Sequence, residues 1–363
     1  MRSDVVSCFA QSYHEARSKF LAAAGARALA VQSHVHPLRG RDGEELAMDV
    51  ARAGAVDAQA VLVLSSACHG VEGFCGSGAQ VAMLDDDALH AQATAAGVAL
   101  LYVHGLNPYG FSWWRRTTHE NVDLNRNFHD FSKPLPRNAG YDEIAPLLVP
   151  ETWPADRATV EGLERFVATR GFKAFQAAVS GGQYDHPQGL FFGGREPTWS
   201  HRTIRQVLRE HARRCRRLGW IDFHTGLGPN GHGERIFACR DDADALERAR
   251  AWWGSQVTSI YDGSSSSALL TGMMWMAAYD ECPQAEFTGI ALEYGTVPTH
   301  EVIDAMRADQ WLELHPHAGA AQRVAIKRRM RDAFYTDTDD WKSAIVDQAL
   351  DATRQAVTGL AAG

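Results

Sequence analysis

The sequence predicts an α/β fold: a mixed, largely parallel central sheet covered by helices on both faces. Three observations predict it. Short apolar runs at 60–65, 98–103, 219–223 and 288–292 are bounded by turn residues. The first of them, Ala-Val-Leu-Val-Leu-Ser, is apolar on both faces, as a strand buried inside a covered sheet must be. Stretches with a helical repeat separate these runs, and a strand–helix–strand order implies parallel neighbours joined by right-handed crossovers.

The elements follow in order. Phe9, Tyr13, Ala16, Phe20 and Ala23 recur at near-helical spacing and predict a helix over 8–30, followed by an extended piece at 28–36. The strand at 60–65 leads into an alanine- and leucine-rich helix at 76–95 and a second strand at 98–103. Residues 105–141 are polar and rich in Asn, Arg, Gly and Pro. Such a segment is too long for a simple connection, and its arginines and aromatics favour function over disorder. Helices are predicted at 154–179, 200–218 and 243–260, with a loop at 181–194 that has Gly-Gly pairs near both ends. The third strand is 219–223, and the fourth, 288–292, follows a glycine–serine tract at 263–267. Amphipathic helices at 299–314 and 341–360 close the chain. No repeat or low-complexity linker divides it, so residues 1–363 read as a single domain.

Composition narrows the function. A net charge of −8 argues against a general nucleic-acid binder, and no apolar run reaches the ~20 residues that span a bilayer. The six cysteines form no C-x-x-C pair, which predicts reduced thiols. The start, Met1 to Phe9, lacks a basic stretch followed by an apolar one, so no signal peptide is expected and the cytoplasm is the expected location. The arginines at 213–217 and the basic run at 327–329 read as solvated helix faces.

Chemistry-bearing residues gather at strand ends. His69 and Glu72, three apart just past the strand at 60–65, fall on one side of a turn that Gly70 and Gly73 permit. His224 ends the strand at 219–223, with Thr225-Gly226 to turn the chain away. Carboxyl ends of neighbouring strands converge at one sheet edge, so two loops there could meet around one ion. Zinc in a catalytic site takes three protein ligands and keeps one position open. Cys68 alternates with His69 along an extended segment and should point away. Asp222 shares the face of His224 and either orients its imidazole or pairs with a neighbouring loop. His104, His119, His186 and His232 are weaker ligand candidates. Ser77 lies in Cys-Gly-Ser-Gly-Ala, which lacks the outer glycines of a nucleophile elbow.

Taken together, His69/Glu72, Asn107-Pro-Tyr-Gly110, Arg116, Asn121 through Phe128, Asp222 through Gly226 and Leu292-Glu-Tyr-Gly295 resemble the M14-type zinc carboxypeptidase superfamily. The match is nearest to its DUF2817 family, related to the succinylglutamate desuccinylase and aspartoacylase branch. The resemblance covers about 55–300, which it marks as a catalytic core, and leaves a helical extension at about 301–363 without a motif. It implies a zinc carboxypeptidase-like fold and one Zn2+ per chain held by His69, Glu72 and His224. It implies Glu293 as the catalytic glutamate and Asn125 and Arg126 as the pair that holds a substrate carboxylate. Arg116 matches the arginine that polarises the scissile carbonyl, with Arg115 as its alternative. Tyr184 and Tyr261 are candidates for a tyrosine that closes on substrate.

The chemistry these residues would perform is amide hydrolysis. Zinc lowers the pKa of water from about 15.7 to about 7. A free Glu293 would take the remaining proton and pass it to the departing amine. Arg126 offers a planar fork to a carboxylate, and Asn125 adds a neutral donor, unless the two merely brace their loop. The expected reaction cleaves a C-terminal peptide bond or an N-acyl amino-acid amide bond, in a small peptide or N-acyl amino acid with a free carboxylate. Tyr109, Phe111, Trp113 and Trp114 either line a side-chain pocket or pack their loop onto the body. Two other readings are a small-molecule deacylase of aspartoacylase type and a non-catalytic ligand-binding protein on the same scaffold. The sequence leaves the oligomeric state open.

Overall fold

The computed structural model describes residues 5–362, so the first four residues of the expected leaderless start lie outside it. Among the described residues, seven strands form one sheet: β1 (Val31–Arg39), β2 (Glu45–Ala53), β3 (Ala60–Ser65), β4 (Val98–His104), β5 (Arg217–Asn230), β6 (Gly233–Phe237) and β7 (Glu286–Gly295). Their order is β1-β2-β4-β3-β5-β7-β6. The four central strands, β4, β3, β5 and β7, are parallel to one another. The outer strands β1, β2 and β6 pair antiparallel. The sheet is mixed with a parallel core, the class the sequence predicts. Chain order reverses direction at β3, whose neighbours β4 and β5 lie on opposite sides of it. The crevice outside the carboxyl ends of β3 and β5 is therefore a topological switch point.

Several predicted boundaries shift for local reasons. The first helix runs Tyr13–Ala26, begun by Ser12, whose side chain accepts from the Glu15 amide. The stretch predicted as one helix at 76–95 is two, Gly73–Leu84 and Asp87–Ala95, because Asp86 caps the second through the Leu89 amide. Residues 154–179 also split, into Arg157–Arg170 and Phe172–Ser180, at Gly171 with φ of 84°. That backbone is left-handed and stops a helix. The helix predicted at 200–218 ends at His211, and β5 begins at Arg217. The helix predicted at 243–260 ends at Trp253. Strands β2 and β6 and the helix Ala320–Phe334 were not predicted at all.

The C-terminal segment, about 301–363, packs against the sheet and its neighbouring helices. The last helix, Asp339–Ala362, buries Trp341, Ile345, Ala349, Ala356 and Leu360 in the same apolar cluster as β3 and β4. Trp253 donates its indole N–H to the Ala352 carbonyl, 2.9 Å away. A second apolar cluster joins the helices Thr299–Leu314 and Ala320–Phe334 to those between 139 and 180. None of the described helices is long and apolar enough to cross a membrane.

Candidate metal centre and active site

The first site residues leave β3 on a turn that only glycine permits. A Cβ on Gly70 would stand 2.1 Å from the Gly110 carbonyl carbon. This close approach lets the Gly70 and Val71 amides donate to the Arg116 and Arg115 carbonyls, at 3.0 and 2.8 Å. The turn carries His69 and Glu72 inward, and both are buried. His224 arrives from β5, paired in register with Glu293 of the neighbouring strand β7.

Three side chains then converge. His69 Nδ1 lies 2.9 Å from Glu72 Oε1, and His224 Nδ1 lies 3.0 Å from Glu72 Oε2. The two Nδ1 atoms are 3.2 Å apart. All three ligand atoms fall within 4.8 Å of one another, a spacing that a metal ion can bridge. The Thr225 amide donates to Glu72 Oε2 at 3.2 Å and fixes that carboxylate.

The outer ring nitrogens have carboxylate partners. His224 Nε2 lies 2.6 Å from Asp222 Oδ2, and His69 Nε2 lies 3.2 Å from Asp123 Oδ1. A carboxylate on the far nitrogen fixes the tautomer that leaves the near nitrogen free to ligate. Arg116 Nη2 also approaches His69 Nε2, at 2.8 Å, and that contact asks for the opposite tautomer. Only the Nε2–H tautomer, donating to Asp123, presents the Nδ1 lone pair to an ion. Asp222 thus takes the orienting place of its two sequence readings. Asp123 was not singled out by the sequence; its signal was its place within the Asn121–Phe128 motif.

Charge tells the same story. Glu72, Asp123, Asp222 and Glu293 face Arg116 and Arg126, so four carboxylates meet two guanidiniums. A divalent cation would balance the difference. Without one, protons do so. Burial first, then the Glu72 carboxylate, pushes the Glu293 carboxyl up to about 8. Burial opposes charge on His224, but Asp222 and Glu72 overcome it and hold the imidazolium well above its usual range. Burial also opposes ionisation of Glu72 and Asp123. For Glu72, His69 and His224 prevail, and for Asp123, Arg116 and His69 do; both carboxyls sit below their ordinary values. The donor set, its orienting carboxylates and its charge fit a divalent ion such as zinc.

These groups open into a cavity of about 120 Å³, lined by His69, Arg116, Asn125, Arg126, His224 and Glu293 at its polar end. Arg116 bonds Glu72 Oε1 at 3.0 Å and Asp123 Oδ2 at 2.9 Å. The Leu227 amide donates to Glu293 Oε1 at 3.0 Å. Asn125 Oδ1 accepts from the Met274 amide at 2.8 Å, which leaves its NH2 group to donate. Arg126 donates to the Ser180 and Asn125 carbonyls. Its nearest carboxylate oxygen, on Asp123, is 4.0 Å away. Burial pulls its pKa down, the mark of a cation short of counter-charge.

Other sequence candidates stand elsewhere. Arg115 turns away to Asp309, Gln310 and Glu313, outside the lining of the cavity. Tyr184 donates to the Arg126 carbonyl at 2.8 Å, and Tyr261 to the Cys239 carbonyl at 2.9 Å. Both hydroxyls are engaged and neither ring lines the cavity. Tyr109, Phe111, Trp113 and Trp114 are likewise absent from its wall and pack their loop onto the body. Cys68 lies behind the site, its sulfur grouped with Asp222 and His224. His104 bonds Ser77, His119 pairs with Glu120 and His186 with Asp142. With His232, none of them lines the cavity. Asn121 and Asn127 brace loops through main-chain carbonyls, the role that was the alternative for Asn125.

The fold has solved counterparts. Bovine thrombin-activatable fibrinolysis inhibitor, in complex with a tick carboxypeptidase inhibitor, is 10% identical over 96% of this chain and 97% of its own, with a TM-score of 0.51. A metallo-carboxypeptidase from Burkholderia cenocepacia is 10% identical over 91% of this chain and 70% of its own (TM-score 0.40). Murein-tripeptide amidase MpaA from Escherichia coli O157 is 15% identical over 80% and 93% (TM-score 0.36). The first likeness shows the fold, a carboxypeptidase-like mixed α/β sheet. No curated protein matches the sequence. Residues 9–348 match the family model described as a protein of unknown function, DUF2817, and the chain belongs to that family.

Proposed function

We propose that the protein is a zinc-dependent hydrolase that cleaves the amide bond of a small peptide or N-acyl amino acid bearing a free carboxylate. The observation that carries this is the meeting of two Nδ1 atoms and one carboxylate within 4.8 Å, beside a buried Glu293 that bonds no metal-ligand atom. His69, Glu72 and His224 would hold the ion. When bound, it supplies a lowered pKa for water and a Lewis acid for the carbonyl.

The chain's own residues do the rest. Glu293 takes a proton from the attacking water on its carboxylate and delivers it to the leaving nitrogen. With a divalent ion held by His69, Glu72 and His224, the site would need fewer protons to balance its charge, and Glu293 would be ionised, as a base requires. Arg116, fixed by Glu72 and Asp123, stands at the cavity edge with a positive charge for an oxygen that becomes negative. Arg126 and the Asn125 amide would grip the substrate carboxylate, in keeping with a desolvated guanidinium that lacks a close counter-charge.

The test is Glu293→Gln. The variant is expected to keep one zinc per chain by atomic spectroscopy and to lose about 10²–10⁴ in kcat. Full turnover in the variant, or parent activity that survives complete chelation, rejects the reading.

A further inference from the structure

The cavity lies on a seam between two apolar clusters. One wall, with Ile260, Leu270 and Trp275, belongs to the principal cluster around the sheet. Another wall, with Val302, Met306 and Phe334, comes from the helices Thr299–Leu314 and Ala320–Phe334 and belongs to the second cluster, whose Val179 and Phe191 also line the cavity. Beyond the polar end formed by the metal-site residues, Arg116, Arg126 and Glu293, the lining carries no charged side chain.

The walls flank different parts of the site. The first adjoins the Asn125–Arg126 pair, because the Met274 amide, next to Trp275, donates to Asn125 Oδ1 at 2.8 Å. The second covers the turn that follows His224. The Thr225 hydroxyl donates to the Phe334 carbonyl at 2.8 Å, and a Cβ on Gly226 would lie 3.0 Å from the Phe334 ring and 3.7 Å from Val302. If the carboxylate rests on Asn125 and Arg126, the two walls receive the two halves of the substrate.

We propose that the substrate is an N-acyl amino acid apolar on both sides of the scissile amide, and that Val302, Met306 and Phe334 select its acyl group. This rests on the hydrolase reading. In the reaction the amide C–N bond breaks, the water oxygen joins the acyl carbon, and the two water protons end on the products without any redox change. A charged acyl group would lose its hydration against the second wall and find no cationic side chain there. A charged side chain would meet the same penalty at the first.

The experiment is a substrate matrix with the zinc-loaded full chain: N-hexanoyl and N-succinyl derivatives of leucine and of aspartate, with kcat/KM read by mass spectrometry. Hexanoyl-leucine is expected to exceed both succinyl-leucine and hexanoyl-aspartate by about tenfold or more. Met306→Lys should raise the succinyl-to-hexanoyl ratio about tenfold, leaving zinc content and the leucine-to-aspartate ratio unchanged. Hydrolysis that is equal for both acyl groups, or faster for succinyl, overturns this inference and leaves the hydrolase intact. An unshifted ratio in a folded, zinc-loaded Met306→Lys removes the second wall from selection and overturns it as well. If zinc-loaded protein hydrolyses no member but cleaves a dipeptide in a chelator-sensitive way, this inference falls and the hydrolase reading stands; if it cleaves neither, both fall.

Discussion

At the scale of single residues, the site depends on groups that aim other groups. Asp222 holds His224 by its far nitrogen at 2.6 Å, and no other contact sets that ring so firmly. Asp222→Asn keeps the shape but removes the charge that makes the imidazole a strong donor. Zinc affinity should fall about 10–100-fold in a competition titration with a chelator; unchanged affinity would reduce Asp222 to packing. Arg126 poses a different question, since three of its N–H groups already serve main-chain carbonyls. Two remain, beside the free NH2 of Asn125. Arg126→Ala should raise KM by about tenfold or more for a carboxylate substrate and hardly change it for the matching amide. Equal effects on both would assign Arg126 to bracing the Ser180 loop. The sequence pointed to His224 by its place at a strand end and to Arg126 through the motif that carries the resemblance, and the fold brings both to one cavity. It left Asp123 without a role because spacing alone does not tell which acidic group reaches which imidazole.

At the scale of elements, the segment that carries Arg116 is clamped from outside the site. Arg115 meets Asp309 at 3.2 Å and Gln310 at 2.8 Å, and Lys327 meets Asp309 at 2.7 Å. This network joins the loop to the helices Thr299–Leu314 and Ala320–Phe334. Arg115→Ala removes a hydrogen bond to Gln310 and one of two cations from a buried carboxylate that keeps Lys327, which costs about 1–3 kcal/mol. Urea denaturation should show that loss while zinc content stays stoichiometric. A large fall in kcat with stability unchanged would instead return Arg115 to the substrate. The same elements show where pattern reading stopped. Strands β3 and β4 announced themselves by unbroken apolar runs, whereas β2 carries Asp49, buried only because Arg17 and Ser33 bond it from other elements. The helix Ala320–Phe334 is dense in arginine, and its few buried positions, Ile326, Met330, Ala333 and Phe334, give no clear stripe. The apolar walls were illegible for a simpler reason: valine, methionine and phenylalanine carry no signature of a site, and only the fold brings Phe334 to Gly226.

At the scale of the whole molecule, the proposed metal centre should couple stability to pH. In the metal-free protein the Glu293 carboxyl is pushed up to about 8, from an ordinary value of 4.5. Between those values the folded chain holds a proton that the unfolded chain has released, so stability falls as pH rises through that window. His224, held protonated when folded, acts in the same sense: its contribution is complete below about 6.5 and is lost as pH rises through its higher folded value. Glu72 and Asp123 act oppositely, but their contributions are complete above the ordinary carboxylate range and vanish only in acid. In the proposed site zinc would take the place of the bound protons, so its affinity should rise with pH. Free metal at about a thousand times its Kd adds about 4 kcal/mol. Calorimetric melting of chelated and zinc-loaded protein from pH 5.5 to 8.5 should therefore show a gap in Tm that widens with pH, driven mainly by decline of the metal-free form. Glu293→Gln should flatten that decline, because glutamine has no proton to lose. A gap that is constant across the range, or a variant that declines as steeply as its parent, would mean that the four carboxylates are not sharing one cation's charge.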